Sequence, residues 1–354
     1  MNDRGTERER LLAEINADLP SGVDWRAGAL SYVSAEMAKH GREPYTRYLL
    51  RKPLAPVSAD PDAYQAALQE NLAYLCNFVN AIGLLALPGQ SRVLDVACGS
   101  GWFAQFFARM DYDVHGFDIS AEMVDLARRR FREDPQLGGL AGSLHERLFQ
   151  LDIEREPLPG GLRGSMDAVV LESCMHHFLD PVAALAHLAE GLKDDGLMLV
   201  IEGENRTGPL RPEYVAVMRE FATLARPYTR AQIEAALDMA GLPHRRFLGR
   251  VNGWFCPEDP RVVALPEVVR GDAAGLNLAV CARTEAALRR VLPHYQARPA
   301  ALASQERTAS APGEAPTTGT PAEPGQQAEA VHLAPQLNPP RRGWLGRLLR
   351  GAAS

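Results

Sequence analysis

The stretch Val93-Leu94-Asp95-Val96-Ala97-Cys98-Gly99-Ser100-Gly101-Trp102-Phe103 decides the fold, because it changes character twice within eleven residues. Its apolar start, rich in β-branched residues, predicts a buried strand, and the apolar segment after the two glycines predicts a helix. Because Gly99 and Gly101 have no Cβ, their backbone can adopt positive φ and a ligand can approach the main chain closely. The free N–H groups at the start of the helix favour polar or anionic groups. We therefore predict a strand, a tight ligand-binding turn and a helix.

A second strand follows at residues 112–117 and ends on an acid, Asp118. An acid about 20 residues after such a glycine turn accepts hydrogen bonds from the hydroxyls of a ribose. Gly99, Gly101 and Ala104 also fit the G-x-G-x-x-G/A pattern of dinucleotide-binding proteins. A nicotinamide-dependent oxidoreductase is therefore one interpretation of this pair of strands.

The run from Leu94 to Gly101, followed by Gly116-Phe117-Asp118-Ile119-Ser120, resembles the class I S-adenosylmethionine (SAM)-dependent methyltransferases. The resemblance covers roughly residues 86–284, and Asp95, which precedes the glycine turn in the first strand, distinguishes it from nicotinamide enzymes. It implies that SAM is the cofactor, with the glycine turn packing against its methionine part and Asp118 binding its ribose. It also implies that Asp152, after the third strand, accepts a hydrogen bond from the adenine amino group, although Asp152 also suits a solvated loop. The cofactor-binding residues that we predict on this basis are Asp95, Ala97, Gly99, Gly101, Asp118, Ile119, Met123, Asp152, Ile153 and Ser173.

The segment Cys174-Met175-His176-His177-Phe178 follows the predicted fourth strand and resembles the corresponding turn of the small-molecule branch of that family. A histidine beside the methyl group could remove a proton from an acceptor hydroxyl, so His176 and His177 are the candidate catalytic residues. We expect only one of them to face the cleft, and either one could instead pack structurally under the following helix. Glu172 and Glu202 are alternatives that could orient the acceptor or a histidine.

The expected reaction is methyl transfer to a hydroxyl or a carbon of a small molecule or a sugar-containing intermediate. An Asn-Pro-Pro-Tyr type of motif, found in family members that methylate amino groups, does not follow the fourth strand. A SAM-binding scaffold protein without catalysis is an alternative that the residues leave open.

Alternating strand and helix patterns predict an α/β fold with a Rossmann-like, doubly wound sheet that is mostly parallel. The resemblance implies seven strands with an antiparallel last strand. Ligands of such sheets bind beyond the carboxyl ends of the strands, where the named site residues fall. After the first strand, we predict strands at residues 112–117, 146–151, 166–173, 197–202, 245–251 and 276–282.

We divide the chain into five parts. Residues 1–60 are predicted to form a helical extension that acts as a lid, and residues 61–285 the methyltransferase domain. A terminal helix at 286–297 and a disordered linker at 298–340, rich in Ala, Pro, Thr, Gly, Glu and Gln, follow. Residues 341–354 form a basic amphipathic tail that either docks weakly through 341–350 on a membrane surface or a protein, or stays solvated.

Composition narrows the class of protein further. The net charge of the 354 residues is −6, so no broad positive field attracts nucleic acid, and we expect none as a partner. The five cysteines are odd in number and form no C-x-x-C pattern, which predicts neither disulfides nor a metal site. The charged N-terminus lacks the apolar region of a signal peptide, and no run of 18 apolar residues occurs, so we expect a cytoplasmic protein. The oligomeric state does not follow from these patterns.

Overall fold

The structure is a computed structural model that describes residues 3–54, 61–204, 206–248 and 276–291. Four helices precede the sheet: α1 (Asp3–Asn16), α2 (Trp25–His40), α3 (Arg42–Arg51) and α4 (Pro61–Leu85). The predicted helical character of the N-terminal region is therefore present in its described part. The predicted linker and basic tail, together with residues 292–297 of the predicted terminal helix, lie outside the described residues.

Seven strands form one sheet in the order β3-β2-β1-β4-β5-β7-β6. The strands are β1 (Arg92–Val96), β2 (Asp113–Asp118), β3 (Leu148–Gln150), β4 (Met166–Glu172), β5 (Leu192–Glu204), β6 (His244–Leu248) and β7 (Leu276–Ala282). Strands β1 to β5 are parallel to one another, and β7 runs antiparallel to both β5 and β6. The predicted α/β, Rossmann-like sheet with an antiparallel last strand is confirmed.

Helices cover both faces of this sheet and bury two apolar layers against it. They are α5 (Trp102–Arg109), α6 (Ala121–Glu133), α7 (Leu144–Arg147), α8 (Pro181–Gly191), α9 (Pro212–Phe221), α10 (Arg230–Met239) and α11 (Glu285–Val291). One layer contains Phe78, Phe103 and Phe107, and the other contains Leu185 and Ile233. Since both faces are covered, the central strands β1 and β4 are buried along most of their length, as expected for parallel strands inside such a sheet.

Three helices begin where their sequences predict an N-cap. The side chains of Ser120, Asp180 and Thr229 each accept a hydrogen bond from a backbone N–H in the first turn of α6, α8 and α10 respectively. Each cap satisfies an N–H group that has no partner within its helix. Ser120 fixes the chain where it leaves β2, and Asp180 fixes it where it leaves the turn after β4. Both residues lie at the edge of the sheet where the parallel strands end.

Several element boundaries differ from the prediction. β3 begins at Leu148 instead of residue 146 because residues 144–147 complete a helical turn. β5 begins at Leu192 instead of residue 197, because Leu192 pairs with Met166 before an irregularity in the ladder. α9 ends at Phe221, since the next residue, Ala222, has a φ of +50°. β6 is described only to Leu248, and the rest of its predicted range lies outside the described residues.

The N-terminal helices pack on helices that border the carboxyl ends of the strands: α1 contacts α10, α2 contacts α9, and α3 contacts α6. Charged pairs accompany each of these contacts or lie beside them, including Arg8 with Asp180, Lys39 with Glu220 and Arg42 with Glu122. In the described part of the chain, no helix combines the length and apolarity needed to cross a membrane.

Candidate functional site

The glycine turn lies at the carboxyl end of β1, at the centre of the sheet. Gly99 has a φ of +53° and Gly101 a φ of +73°, so both use the backbone region predicted for them. A Cβ on Gly101 would lie 2.8 Å from the Cβ of Ala127, so this glycine allows α6 to pack directly on the turn. A Cβ on Gly99 would meet no atom within 4 Å, so the space above this residue is open. The turn thus offers main-chain atoms to a ligand on one side and is packed on the other.

Asp118, at the end of β2, faces this turn. Its carboxylate accepts hydrogen bonds from the backbone N–H of Gly99 at 3.0 Å and of Ser120 at 2.8 Å. Burial disfavours the charged carboxylate and raises the pKa of Asp118 to about 6, although these two N–H groups act in the opposite direction. Each carboxylate oxygen has a second lone pair, so Asp118 can accept hydrogen bonds from ribose hydroxyls while it holds the turn.

Asp95, in β1, stabilises the start of α5 just after the glycine turn. It is almost fully buried, and its carboxylate accepts a hydrogen bond from the backbone N–H of Ala104 at 3.0 Å. Gly101, the N-cap of α5, has no side chain to accept this bond, so Asp95 replaces the missing cap. Burial, together with the negative charge of Glu172, raises the pKa of Asp95 well above its ordinary value.

Asp152 and Ile153 follow β3, and neither is free of other contacts. The carboxylate of Asp152 forms an ion pair with Arg26 of α2 and accepts the backbone N–H of Glu154 at 3.3 Å. The side chain of Ile153 is buried, and its carbonyl oxygen contacts Nδ1 of His187 at 2.7 Å. An adenine amino group at Asp152 would therefore share that carboxylate with a residue of the N-terminal helices.

The other four predicted cofactor residues surround the same strand ends. Ala97 and Ser173 follow β1 and β4 and have φ values of +49° and +52°. The hydroxyl of Ser173 donates to Glu172 at 2.9 Å, and the carbonyl oxygen of Ile119 accepts from the side chain of Gln150. Met123, in the first turn of α6, is half-buried against an apolar cluster that includes residues of α2 and α3.

The two candidate catalytic histidines lie in a 3₁₀ turn, Met175–His177, directly after β4. Nδ1 of His176 is 2.8 Å from a carboxylate oxygen of Glu202, whose other oxygen accepts the backbone N–H groups of Cys174, at 3.0 Å, and Met175. Glu202 is buried in β5, and the side chain of His176 is 24% exposed. Because a carboxylate accepts, Nδ1 carries the proton and Nε2 of His176 is left to accept another.

His177 lies beside His176, with ring centroids 4.1 Å apart. The two rings therefore lie side by side, although each is held by an acceptor on a different element. Nδ1 of His177 contacts the carbonyl oxygen of Leu224, in the segment after α9. The protein groups packed around the ring and the neighbouring His176 lower the pKa of His177, so this ring is neutral near pH 7, although the residue is exposed at the surface.

Residues from the N-terminal helices complete the site, and the sequence analysis did not single them out. Asn77 of α4 donates to Glu172 at 2.8 Å, at the end of β4. Lys52, just after α3, places its ammonium over the rings of Tyr48 and Tyr74. These residues lie far from the glycine turn in sequence and belong to no local motif. Only the apolar spacing of α4 and the aromatic residues near residue 48 pointed towards packing on the core.

The sheet order, the glycine turn and the acid after β2 define a Rossmann-like protein that binds a nucleoside cofactor at the carboxyl edge of its sheet. The chain belongs to the methyltransferase domain family, whose profile matches residues 64–243. The predicted class, a SAM-dependent methyltransferase, and its cofactor are thereby confirmed. The residues fit SAM: the space above Gly99 is open, and Asp118 lies beside it as an acceptor.

Curated relatives match the central part of the chain. A ubiquinone biosynthesis O-methyltransferase from Xanthomonas campestris pv. campestris is 34% identical over 123 residues, covering 35% of this chain and 46% of the relative. A demethylmenaquinone methyltransferase from Renibacterium salmoninarum is 32% identical over 149 residues, covering 42% of this chain and 55% of the relative. The chain thus spans about half the length of the curated relatives it matches.

Among solved structures, the chain is similar to geranyl diphosphate C-methyltransferase from Streptomyces coelicolor A3(2). The TM-score is 0.47 at 14% identity, covering 75% of this chain and all of that structure's chain.

Proposed function

We propose that this protein transfers the methyl group of SAM to a hydroxyl of a small molecule, with His176 as the general base. The observation that carries the proposal is the Glu202–His176 pair, which joins β5 to the turn after β4, at the same edge of the sheet as the glycine turn. Names of the matched relatives support this acceptor class, since they describe methylation at oxygen in one case and of demethylmenaquinone in the other. Methylation at carbon is the alternative, and a sugar-containing acceptor remains a prediction.

SAM, when bound, supplies a methyl group already activated by its positively charged sulfur. The chain's contribution is to align the acceptor oxygen with that methyl group and to exclude water. As the oxygen–carbon bond forms and the sulfur–carbon bond breaks, the hydroxyl proton passes to Nε2 of His176. Glu202 holds the Nδ1–H of the ring and stabilises the imidazolium that results.

His177 has a different role in this proposal. Its low pKa keeps the ring neutral, and its contact with Leu224 leaves Nε2 as an acceptor. A neutral acceptor next to His176 can orient a hydroxyl without competing for the proton. His177 therefore acts as a positioning residue for the acceptor.

The acceptor is identified by incubating the protein with methyl-labelled SAM and cell extract and then characterising the labelled product. Its chemistry separates transfer to oxygen from transfer to carbon. If the protein binds SAM but labels nothing in any extract, the non-catalytic scaffold interpretation replaces this proposal. If it binds a nicotinamide cofactor and not SAM, the oxidoreductase interpretation does.

With an acceptor in hand, the role of His176 is tested by His176→Ala and Glu202→Gln. We expect His176→Ala to lower turnover by roughly 10²-fold or more, because proton removal loses its base. SAM affinity, measured by calorimetry, should change little. Glu202→Gln should lower turnover less and shift the pH at which turnover is half-maximal, because the imidazolium loses its negative partner.

The matched control is His145→Ala, which removes an exposed histidine from α7. It should leave turnover and its pH profile unchanged. Full turnover in His176→Ala and His177→Ala alike would refute a histidine base.

The N-terminal helices are proposed to act as the lid of this site, as the contacts of α2 and α3 with α9 and α6 support. Residues 61–285 are correspondingly proposed as the methyltransferase domain and the cytoplasm as its location.

A further inference from the structure

We propose that Lys52 binds the carboxylate of the donor's amino-acid group, so that the segment before the matched domain forms part of the donor pocket. This inference rests on the proposed function, because it assigns one more group of the SAM site. Lys52 lies twelve residues before the first residue that the family profile matches, residue 64.

The position of Lys52 is determined by a buried arginine of α6. Nη2 of Arg130 donates to the carbonyl oxygen of Leu49 at 2.6 Å, and Nη1 donates to that of Lys52 at 2.9 Å. Nε of the same guanidinium donates to the carbonyl oxygen of Ser100, in the glycine turn, at 2.8 Å. The hydroxyl of Ser100 also donates to the carbonyl oxygen of Leu49, at 2.9 Å. The end of α3 is therefore bound directly to the turn between Gly99 and Gly101.

The ammonium of Lys52 lies near one aromatic ring of α3 and one of α4. Its Nζ lies 5.4 Å from the ring centroid of Tyr48 and 5.0 Å from that of Tyr74. Tyr74 in turn packs edge-on against Trp102, the residue that follows Gly101, with centroids 5.4 Å apart. The two rings limit the positions that the ammonium can occupy. Because Tyr74 packs against Trp102, these positions lie close to the glycine turn.

Glu172, at the end of β4, is the acid that interacts with Lys52. Asn77, three residues after Tyr74 on α4, donates to its carboxylate at 2.8 Å. Burial raises the pKa of Glu172, while its hydrogen bonds with Asn77 and Ser173 and the positive charge of Lys52 act in the opposite direction, so Lys52 lies within electrostatic reach of this carboxylate. Lys52 makes no ion pair within 4 Å with any side chain that the structure describes.

The charges of the donor fit this arrangement. Its sulfonium and ammonium groups are positive and suit an acid at the strand ends such as Glu172, whereas its carboxylate needs a cation. Arg130, also beside the turn, donates to the three carbonyl oxygens, to Oε1 of Gln105 at 3.2 Å and to the hydroxyl of Ser100 at 3.4 Å, so its N–H groups are already used within the protein. Lys52 is the cation near the turn whose ammonium remains available among the described residues.

The test compares two ligands by calorimetry on the full chain. S-adenosylhomocysteine carries the amino-acid group, and 5′-methylthioadenosine keeps the nucleoside and the sulfur without it. We expect Lys52→Met to weaken S-adenosylhomocysteine binding by roughly 10- to 100-fold, the range for a lost charged hydrogen bond. Binding of 5′-methylthioadenosine should stay within about twofold. Lys52→Arg should restore most of the affinity, because the charge is kept.

Arg51→Met is the matched control, since it removes a cation from the exposed neighbouring position. It should leave both affinities unchanged. Equal losses for the two ligands in Lys52→Met, or no loss for either, would overturn the inference while leaving the proposed function intact. Failure of the unmodified protein to bind either ligand would instead contradict the proposed function.

Discussion

At the scale of single residues, the acids of the site differ in the groups with which they form hydrogen bonds or ion pairs. Asp95 is committed to the start of α5, whereas Asp118 keeps lone pairs for a ligand and holds Gly99 at the same time. Asp152 is paired with Arg26, so its carboxylate contacts the N-terminal helices in a way that its own strand does not reveal. The residue types at the strand ends were predictable, but their partners were not.

The raised pKa of Asp118 predicts a pH dependence of donor binding. Because the pKa is about 6, the carboxyl is mostly protonated at pH 5 and ionised at pH 7, where it accepts stronger hydrogen bonds. We expect the affinity for S-adenosylhomocysteine, measured by calorimetry, to rise as the pH increases from 5 to 7. Asp118→Asn should lose roughly tenfold or more at pH 7 and remove this dependence.

The exposed acid Asp125 provides the control, since Asp125→Asn should keep the unmodified pH profile. A profile that persists in Asp118→Asn would assign the titration to another group.

The raised pKa of Asp118 also makes the stability of the folded protein depend on pH. Since the folded pKa is above the ordinary value of 3.8, the contribution of Asp118 to stability is greatest below that value and is lost as the pH rises through about 6.

At the scale of elements, the turn between β1 and α5 depends on two glycines for different reasons. Gly101 needs its left-handed backbone and also the absence of a side chain, because α6 approaches it at Ala127. At Gly99 the protein itself requires only the positive φ, because an added Cβ would meet no protein atom. The absence of a side chain there also leaves room for a ligand. One motif therefore serves both packing and binding.

Replacing each glycine by alanine should separate these two roles. Gly101→Ala should lower the free energy of unfolding by about 2–5 kcal/mol, the sum of left-handed strain and overpacking. Gly99→Ala should cost only about 1–2 kcal/mol, from strain alone, yet weaken donor binding strongly. Urea unfolding and calorimetry on the two variants measure both effects. Equal losses of stability would show that the contact with Ala127 is easily relieved.

At the scale of the whole molecule, the N-terminal helices are joined to the sheet through side chains as well as through the chain itself. Arg130 is the strongest of these connections, because it is buried and binds carbonyl oxygens of α3 and of the glycine turn together. Desolvation lowers its pKa to about 10, so it remains charged at pH 7. The lid and the donor site are thus expected to loosen together.

Arg130→Met should lower the free energy of unfolding by about 2–3 kcal/mol, because buried carbonyl groups lose their donor. Hydrogen exchange should become at least roughly tenfold faster in residues 42–52 while the sheet stays protected, as expected for local opening. Arg129→Met, which removes an exposed neighbour paired with Glu133, is the control and should change neither. Uniformly faster exchange across the sheet would contradict a specific link between α3 and the turn.

Much of the fold was predictable from the sequence because its signals are local. Apolar periodicity, the glycines at 99 and 101, and caps such as Ser120 act over a few residues and determine each strand, turn and helix in turn. The parallel order of the strands then places their ends at one edge, so the region of the site also followed. Boundaries such as the start of β5 were missed because pairing with β4 extends that strand beyond its own pattern.

The sequence by itself thus determined the class of fold, the glycine turn and the residue types at the strand ends. Only the tertiary structure decided which side chains meet: Glu202 with His176, Arg26 with Asp152, and Arg130 with the segment that carries Lys52. The physical reason is that these contacts join residues tens of positions apart on different elements. Their energies depend on distance in space, burial and charge, which no periodicity or short motif encodes.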